Sequence, residues 1–171
     1  MTKSASGTRV RRCATAVTAA LLACAVGALP AQASVSQGGV YGAGVVTDDW
    51  GDEGPLSVNS NSHNNVVLLW QVVLVSDGYL TSADDYDCRF GPRTQAATKA
   101  WQRANDLDDD GIVGPKTFGK ADNKLRMDSD DGEIHYKGSR GIYRNSSGRW
   151  YMDDVNGVRH YFSYNSSSMC G

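Results

Sequence analysis

Acidic side chains clustered in one turn are the first candidates for chemistry in this chain. Residues 106–111, DLDDDG, match the start of a calcium-binding loop, in which alternating aspartates supply oxygen ligands. The twelfth position of such a loop is Thr117, which lacks the carboxylate that calcium loops use there. Because the motif is incomplete, the sequence favours a solvated acidic turn over a metal site.

The histidines form no recognisable metal or catalytic pattern. His63, His135 and His160 are scattered and show no HExxH spacing. His135 and His160 could meet across a sheet and be joined by Asp153 or Asp154, but histidines on strand surfaces are commoner. The sequence has no G-x-S-x-G motif, no Ser-Lys pair and no Cys-His arrangement. We therefore predict no catalytic residue, no metal and no cofactor. The alternative is a small hydrolase, or an accessory protein of a zinc-dependent peptidase, with catalysis in the C-terminal region.

Residues 1–33 are predicted to be a signal peptide. Four Lys and Arg residues precede an apolar run over 14–29, and residues 31–33, AQA, give the A-x-A cleavage pattern. Cys24 in the sequence LLAC leaves lipoprotein processing as an alternative. The protein is thus expected to be exported and, after cleavage, free of the membrane.

Removing this leader makes the chain acidic. The leader contains four of the 17 basic residues and none of the 19 acidic ones, which leaves a net charge of −6. Nucleic-acid binding needs clustered Lys and Arg, and a net acidic chain also gains nothing from other anionic polymers by bulk charge. We expect a monomer that binds no nucleic acid and that would attach to an anionic surface only through shaped contacts.

Two cysteines, Cys88 and Cys170, remain after the leader. In an oxidising compartment a lone pair most simply forms one disulfide, which would tie the C-terminus to the middle of the chain. A catalytic thiol is the alternative, but no histidine lies near Cys88 in the sequence.

Two loop-to-helix junctions organise the middle of the chain. Residues 87–94 and 110–117 share the pattern D-x-x-Φ-G-P-[RK]-T, where Φ is apolar. Proline suits the first helical position because its missing N–H has no partner there, so helices should begin near Pro92 and Pro115. Upstream, residues 66–75 have helical spacing of apolar residues despite many β-branched side chains. The pattern predicts three short helices with Trp70 and Trp101 in their core.

This series of residues resembles the peptidoglycan-binding domain type 1, a three-helix module of secreted cell-wall proteins. The resemblance covers about residues 55–125 and rests on V67-x-x-W70-Q71-x-x-L74-x-x-x-G78-Y79, F90-G-P-R-T94, A97, W101-Q102, L107 and D110-G-I-V-G-P-K-T117. Two positions depart from it, since Cys88 and Asp106 stand where the family usually has glycine. The resemblance implies a peptidoglycan ligand and a location at the cell wall.

The resemblance also suggests where a ligand would touch. Polar groups that flank the two loops are the candidates: Arg89, Arg93 and Lys116 for peptide-stem carboxylates, and Tyr79 and Gln102 for sugar or amide groups. The alternative for each of them is ordinary solvated surface. Aromatic strand residues further on, Tyr143, Trp150, Tyr151 and Tyr161, are a second candidate platform.

The complete prediction is an α+β protein, with a three-helix bundle followed by a small antiparallel β-meander. Residues 34–62 are rich in Gly, Ser, Asn and Asp and are predicted to be a flexible linker. Residues 63–126 form the helical domain. Residues 127–171 alternate apolar and polar side chains between turn sequences such as Asn156-Gly157, which predicts three or four short strands.

Overall fold

The computed structural model describes residues 33–128, 133–137 and 141–170, so the predicted signal peptide lies almost wholly outside the described residues. The helices are α1 (Ala33–Gln37), α2 (Asn65–Ser76), α3 (Pro92–Ala104) and α4 (Pro115–Asp122), with short 3₁₀ helices at Val46–Asp48 and Ala83–Asp85. The strands are β1 (Leu125–Met127), β2 (Ile134–Tyr136), β3 (Tyr143–Arg144), β4 (Trp150–Asp153) and β5 (Arg159–Tyr161). In the described part of the chain, none of the helices combines the length and apolarity that crossing a membrane requires. The mixed helix and sheet content confirms the α+β class.

Helix α2 forms in spite of its β-branched residues because tertiary burial outweighs propensity. Asn64 caps it, with Oδ1 accepting hydrogen bonds from the amides of Val66 at 2.9 Å and Val67 at 3.0 Å. Every residue from Asn65 to Leu74 is buried. A helix that is apolar on all sides belongs inside a protein, and α2 is the central element of this one.

Helices α3 and α4 begin at Pro92 and Pro115, as the repeated junction predicts. The preceding glycines are extended and each proline takes the first helical position. The helices bring three aromatic rings together, with Trp70 5.1 Å from Trp101 and 5.6 Å from Phe118 between ring centroids. Edge-to-face packing of this kind stabilises a core by about 1 kcal/mol per pair beyond area burial.

The C-terminal region forms two small antiparallel sheets. Strands β1 and β2 pair with each other, and β3, β4 and β5 form a three-stranded sheet in that order. A bridge between Ile134 and Ile142 joins the two sheets. Trp150 and Phe162 are fully buried and face the helices, which confirms the predicted short antiparallel strands.

The segment predicted to be a flexible linker is instead part of the core, and that prediction was wrong. Trp50 is fully buried, with its ring 6.3 Å from Phe118 and 5.3 Å from Trp150. Leu56, also fully buried, exchanges two backbone hydrogen bonds of 2.9 Å with Val113. Low overall hydrophobicity misled the prediction, because Val40 and Val46 are buried as well and further bridges, at Gly39 and Tyr41, join the segment to the C-terminal region.

One buried carboxylate ties the helices to the first sheet. Asp77, at the end of α2, accepts hydrogen bonds from Trp101 Nε1 at 2.6 Å and from the Tyr136 hydroxyl at 2.8 Å. Its oxygens also pair with Lys124 at 3.2 Å and Lys137 at 2.7 Å. Burial by itself would raise the pKa of Asp77, but these four donors together lower it. The helical region and the strands therefore share one core.

The predicted disulfide is present. Cys88 and Cys170 are bonded, with their Cα atoms 5.8 Å apart and 82 positions between them in the sequence. The bond fixes the C-terminal segment beside the start of α2, where the Asn65 amide also donates to the Ser166 carbonyl at 2.7 Å.

Candidate ligand-binding site

The two repeated junctions are built around one buried glutamine each. In the first loop, residues 87–94, Gln71 Nε2 donates to Asp87 Oδ1 at 2.7 Å and to the Arg89 carbonyl at 3.1 Å. Its Oε1 accepts from the Cys88 amide at 3.1 Å. The Asp87 carboxylate also accepts from the Arg89 amide at 2.8 Å. The glutamine thus satisfies polar groups of the turn that the backbone bridge between His63 and Arg89 does not pair.

The second loop, residues 110–117, repeats this arrangement. Gln102 Nε2 donates to Asp110 Oδ1 and to the Ile112 carbonyl, both at 2.9 Å, and Oε1 accepts from the Gly111 amide at 2.9 Å. The Ile112 amide donates to Asp110 Oδ1 at 2.8 Å. Each Trp-Gln pair therefore supplies a tryptophan to the core and a glutamine to its loop.

Gln102, a predicted ligand contact, is held inside the second loop. The residue is 1% exposed, and its amide oxygen and nitrogen are both bonded within this loop. Releasing it would leave several buried polar groups without partners, at roughly 1–3 kcal/mol each. Gln102 therefore holds the loop in shape.

A cavity of about 500 Å³ lies beside the second loop. It is lined by Gln102, Asp106, Leu107, Asp108, Asp110, Ile112, Gly114, Pro115, Lys116 and Thr117. Ile112 is an exposed apolar residue, with 42% of its surface accessible. The lining thus combines apolar surface, carboxylates and one ammonium group, a mixture suited to a ligand with apolar and charged parts.

The first loop has an inserted helix beside it. Eight more residues separate Gln71 from Asp87 than separate Gln102 from Asp110, and they include the 3₁₀ helix Ala83–Asp85. Asp85, the last residue of this helix, is buried, and Arg93 pairs with it at 2.9 Å between Nε and Oδ1. The surroundings of the two loops therefore differ.

The predicted contact residues lie in different places. Lys116 is exposed and lines the cavity, while Arg89, Arg93 and Tyr79 do not line it. Arg89 is exposed in the first loop, Arg93 neutralises Asp85, and Tyr79 is partly buried against the core. The structure thus brings only Lys116 of these four to the opening, together with residues that the sequence analysis did not propose as contacts.

Eight of the ten lining residues were not proposed as contacts, among them Asp106, Leu107, Asp108 and Ile112. The sequence analysis interprets the acidic turn DLDDDG as a solvated turn in preference to a calcium loop, and not as part of a ligand site. The neighbouring Asp109 pairs with Arg103 at 2.6 Å, and this pairing lowers the pKa of Asp109. Among residues 33–128, 133–137 and 141–170, no group of three or more His, Cys, Asp and Glu residues could hold a metal ion.

The first loop also contains Cys88 at the position of Gly111. Both residues have positive φ, +55° at Cys88 and +75° at Gly111. This backbone conformation favours glycine, so the cysteine is held there at a local cost that its disulfide can offset. The departure from the family pattern at Cys88 therefore marks the attachment point of the C-terminal segment.

A polar trio near the C-terminus has the residue types of a hydrolytic triad. Ser168 Oγ lies 3.4 Å from His160 Nδ1, and His160 Nε2 lies 3.2 Å from Asp154 Oδ2. Ser168 is exposed, and the amides that follow it, of Met169 and Cys170, donate to acceptors within the fold. A nucleophile needs neighbouring donors for the oxyanion, and these two amides are already bonded within the fold. The contact between Ser168 and His160 joins the C-terminal segment to β5.

Comparison with known proteins agrees with the resemblance found in the sequence. Residues 62–120, about a third of the chain, match the family described as "Putative peptidoglycan binding domain". No curated protein and no solved structure matches the chain. The matched segment contains α2, α3, α4, both loops and the whole cavity lining, so it supports peptidoglycan as the partner of this region.

Proposed function

We propose that the protein is a secreted, non-catalytic peptidoglycan-binding protein whose ligand enters the cavity beside the second loop. The observation that supports this most strongly is the coincidence of two findings. The family match spans residues 62–120, and all ten residues that line the cavity lie within that span.

In this proposal α2, α3 and α4 form the three-helix bundle of the family, and the buried glutamines give its two loops their shape. The sheets and residues 33–61 are additions that enclose this bundle on other sides. Their contribution is to stabilise it, through Trp50, Trp150 and the disulfide.

The cavity chemistry fits the peptide stems of peptidoglycan. A stem presents carboxylates, amides and amino groups close to apolar side chains. Lys116 would pair with a stem carboxylate, Asp106 and Asp108 would accept from amino or amide groups, and Ile112 would cover apolar parts. The sugar strand would then pass outside the opening.

Export is part of the proposal. A disulfide persists in oxidising compartments, so the Cys88–Cys170 bond supports an extracellular protein. The predicted leader and the cell-wall ligand agree with that location. We propose a monomer, free of membrane and nucleic acid, that attaches to the wall by this site.

Retention on purified, protein-free sacculi tests the proposal. We expect the native protein to be retained and Lys116→Ala to weaken retention by about tenfold, the usual effect of losing a charge-assisted hydrogen bond. Lys120→Ala is the matched control, since Lys120 is also exposed on α4 but does not line the cavity. Native protein that washes off sacculi as fast as an unrelated secreted protein would end the proposal. Equal retention of Lys116→Ala and Lys120→Ala would show that the ligand does not bind in this cavity.

The absence of catalysis has its own test. We expect no clearing of a sacculus-containing gel by the native protein, with or without added zinc. Clearing that disappears in Ser168→Ala or His160→Ala would establish the hydrolase alternative and would give the C-terminal trio a catalytic role.

A further inference from the structure

The cavity beside the second loop contains charges of both signs that do not pair with each other. Asp106, Asp108 and Lys116 line it, and all three residues are exposed. Within the described residues, none of these three side chains takes part in an ion pair or a hydrogen bond. Asp109, which pairs with Arg103 at 2.6 Å, does not line the cavity. The cavity thus presents two carboxylates and one ammonium group that are available to a ligand.

This combination of charges restricts the chemistry of the ligand. Opposite charges that line one cavity without pairing leave room for a molecule that pairs with both. Such a molecule offers a carboxylate to Lys116 and a cation to Asp106 and Asp108. A ligand that carried only carboxylates would place like charge against the two aspartates, which is unfavourable. The cavity therefore favours a zwitterionic group over a simple anion.

The remaining lining adds apolar surface beside these charges. Ile112 has 42% of its surface accessible, and Leu107 and Pro115 are partly exposed. Side chains of this kind cover methylene groups and remove them from water. The cavity as a whole therefore fits a zwitterionic group at the end of a short methylene chain.

We propose that the cavity selects peptide stems whose diamino acid is not cross-linked. In a stem that contains diaminopimelic acid, the free end of this residue has an amino group and a carboxylate on one carbon, joined to the stem by methylene groups. Asp106 and Asp108 bind the ammonium group, Lys116 binds the carboxylate, and the methylene groups pack on Ile112. A cross-link converts the amino group to an amide, so a cross-linked stem lacks the cation that the aspartates bind. The inference rests on the proposed function and names the part of the stem that is bound.

Acetylated sacculi test this selection. Acetic anhydride converts the free amino groups of purified sacculi to amides and leaves the stem carboxylates in place. We expect retention of the native protein to weaken by about tenfold on acetylated sacculi, because the charged partner of the aspartates is lost.

A double variant, Asp106→Asn with Asp108→Asn, identifies the residues responsible. Asparagine tolerates the positive φ of Asp106, +58°, so the variant should fold. Its retention on untreated sacculi should be about tenfold weaker than that of the native protein, and acetylation should weaken it little further, since both changes remove the same interaction. Asp84→Asn is the matched control, because Asp84 is exposed but does not line the cavity. This control should respond to acetylation as the native protein does.

Competition by soluble compounds uses the unaltered protein. Diaminopimelic acid should displace the protein from untreated sacculi. Pimelic acid, which has the same carbon chain and carboxylates without the amino groups, should not. Displacement by diaminopimelic acid that is no greater than displacement by pimelic acid would overturn the inference.

The same measurements separate this inference from the proposed function. A native protein retained equally on untreated and acetylated sacculi would lose this inference and keep the proposed function. A native protein retained on neither would lose both.

Discussion

The first and second loops have the same internal hydrogen bonds, but different segments of the chain pack around them. In each loop one buried glutamine bonds an aspartate, a carbonyl and an amide at equivalent positions. An inserted 3₁₀ helix lies beside the first loop, and a disulfide attaches this loop to the C-terminal segment, whereas the second loop borders a cavity of about 500 Å³. A repeated sequence thus specifies a repeated turn, while the segments packed around each turn decide what lies beside it.

Among the features that distinguish the two loops, the disulfide of the first loop should contribute most to the free energy of unfolding. Replacing both cysteines, Cys88→Ser with Cys170→Ser, removes a link across 82 positions and should lower the free energy of unfolding by about 4 kcal/mol. Urea unfolding measures this loss, and the native protein in reducing agent should approach the double variant. Sacculus retention under folding conditions should persist, because the second loop does not touch the bond. Lost retention in a folded variant would mean that the first loop takes part in binding.

The two glutamines sharpen the comparison further. Gln102→Leu should cost roughly 3 kcal/mol, because it leaves Asp110, the Ile112 carbonyl and the Gly111 amide without their buried partner. In the oxidised protein, Gln71→Leu should lower the free energy of unfolding by less than Gln102→Leu does, since the disulfide still restrains Cys88. Thermal or urea unfolding with and without reductant measures both. The difference in free energy of unfolding between the two variants should become smaller when the disulfide is reduced. A difference that stays the same would show that the inserted 3₁₀ helix, and not the disulfide, supports the first loop.

The helices that follow the loops should differ in their response to pH. Asp122 on α4 accepts from the Trp50 amide at 2.9 Å, and its burial, with Asp48 and Asp49 nearby, raises its pKa from 3.8 to about 7. The folded protein then keeps a proton that the unfolded chain releases near pH 4, so stability should fall as pH rises through this window. The loss should be roughly 2 kcal/mol between pH 5 and 7.

Urea unfolding at several pH values checks this difference. In Asp122→Asn the free energy of unfolding should fall much less between pH 5 and 7 than in the native protein. Compared with the native protein at the same pH, the variant should therefore be more stable at pH 7 than at pH 5. The repeat places Lys99 of α3 at the matching position, so Lys99→Gln is the control and should leave the slope unchanged. If the free energy of unfolding of Asp122→Asn falls with pH as steeply as that of the native protein, the pH dependence comes from another group.

Local chemistry made several features predictable. The Gly-Pro junctions forecast the starts of α3 and α4 because proline at the first helical position is a short-range rule. The pairing of Cys88 with Cys170 followed from having only two cysteines left after the predicted leader. The strands after residue 133 followed from alternation and turn residues.

Other features depended on contacts between distant segments. The burial of Trp50 requires Phe118 and Trp150 to be in place, and nothing near Trp50 in the sequence indicates them. Gln102 was proposed as a contact for sugar or amide groups, yet its side chain is buried and bonded within the second loop. Arg93 and Lys116 occupy matching positions, but only Arg93 meets a buried carboxylate.

The sequence alone determined the repeated turn, the helix starts, the strand pattern and the resemblance of its middle third to a peptidoglycan-binding domain. Each depends on interactions between residues close in the chain, or on a motif of fixed spacing. The tertiary structure decided what lies beside each loop, where Trp50 packs and which buried carboxylate Arg93 meets. Those outcomes depend on which segments meet across the core, and spacing along the chain does not encode that directly.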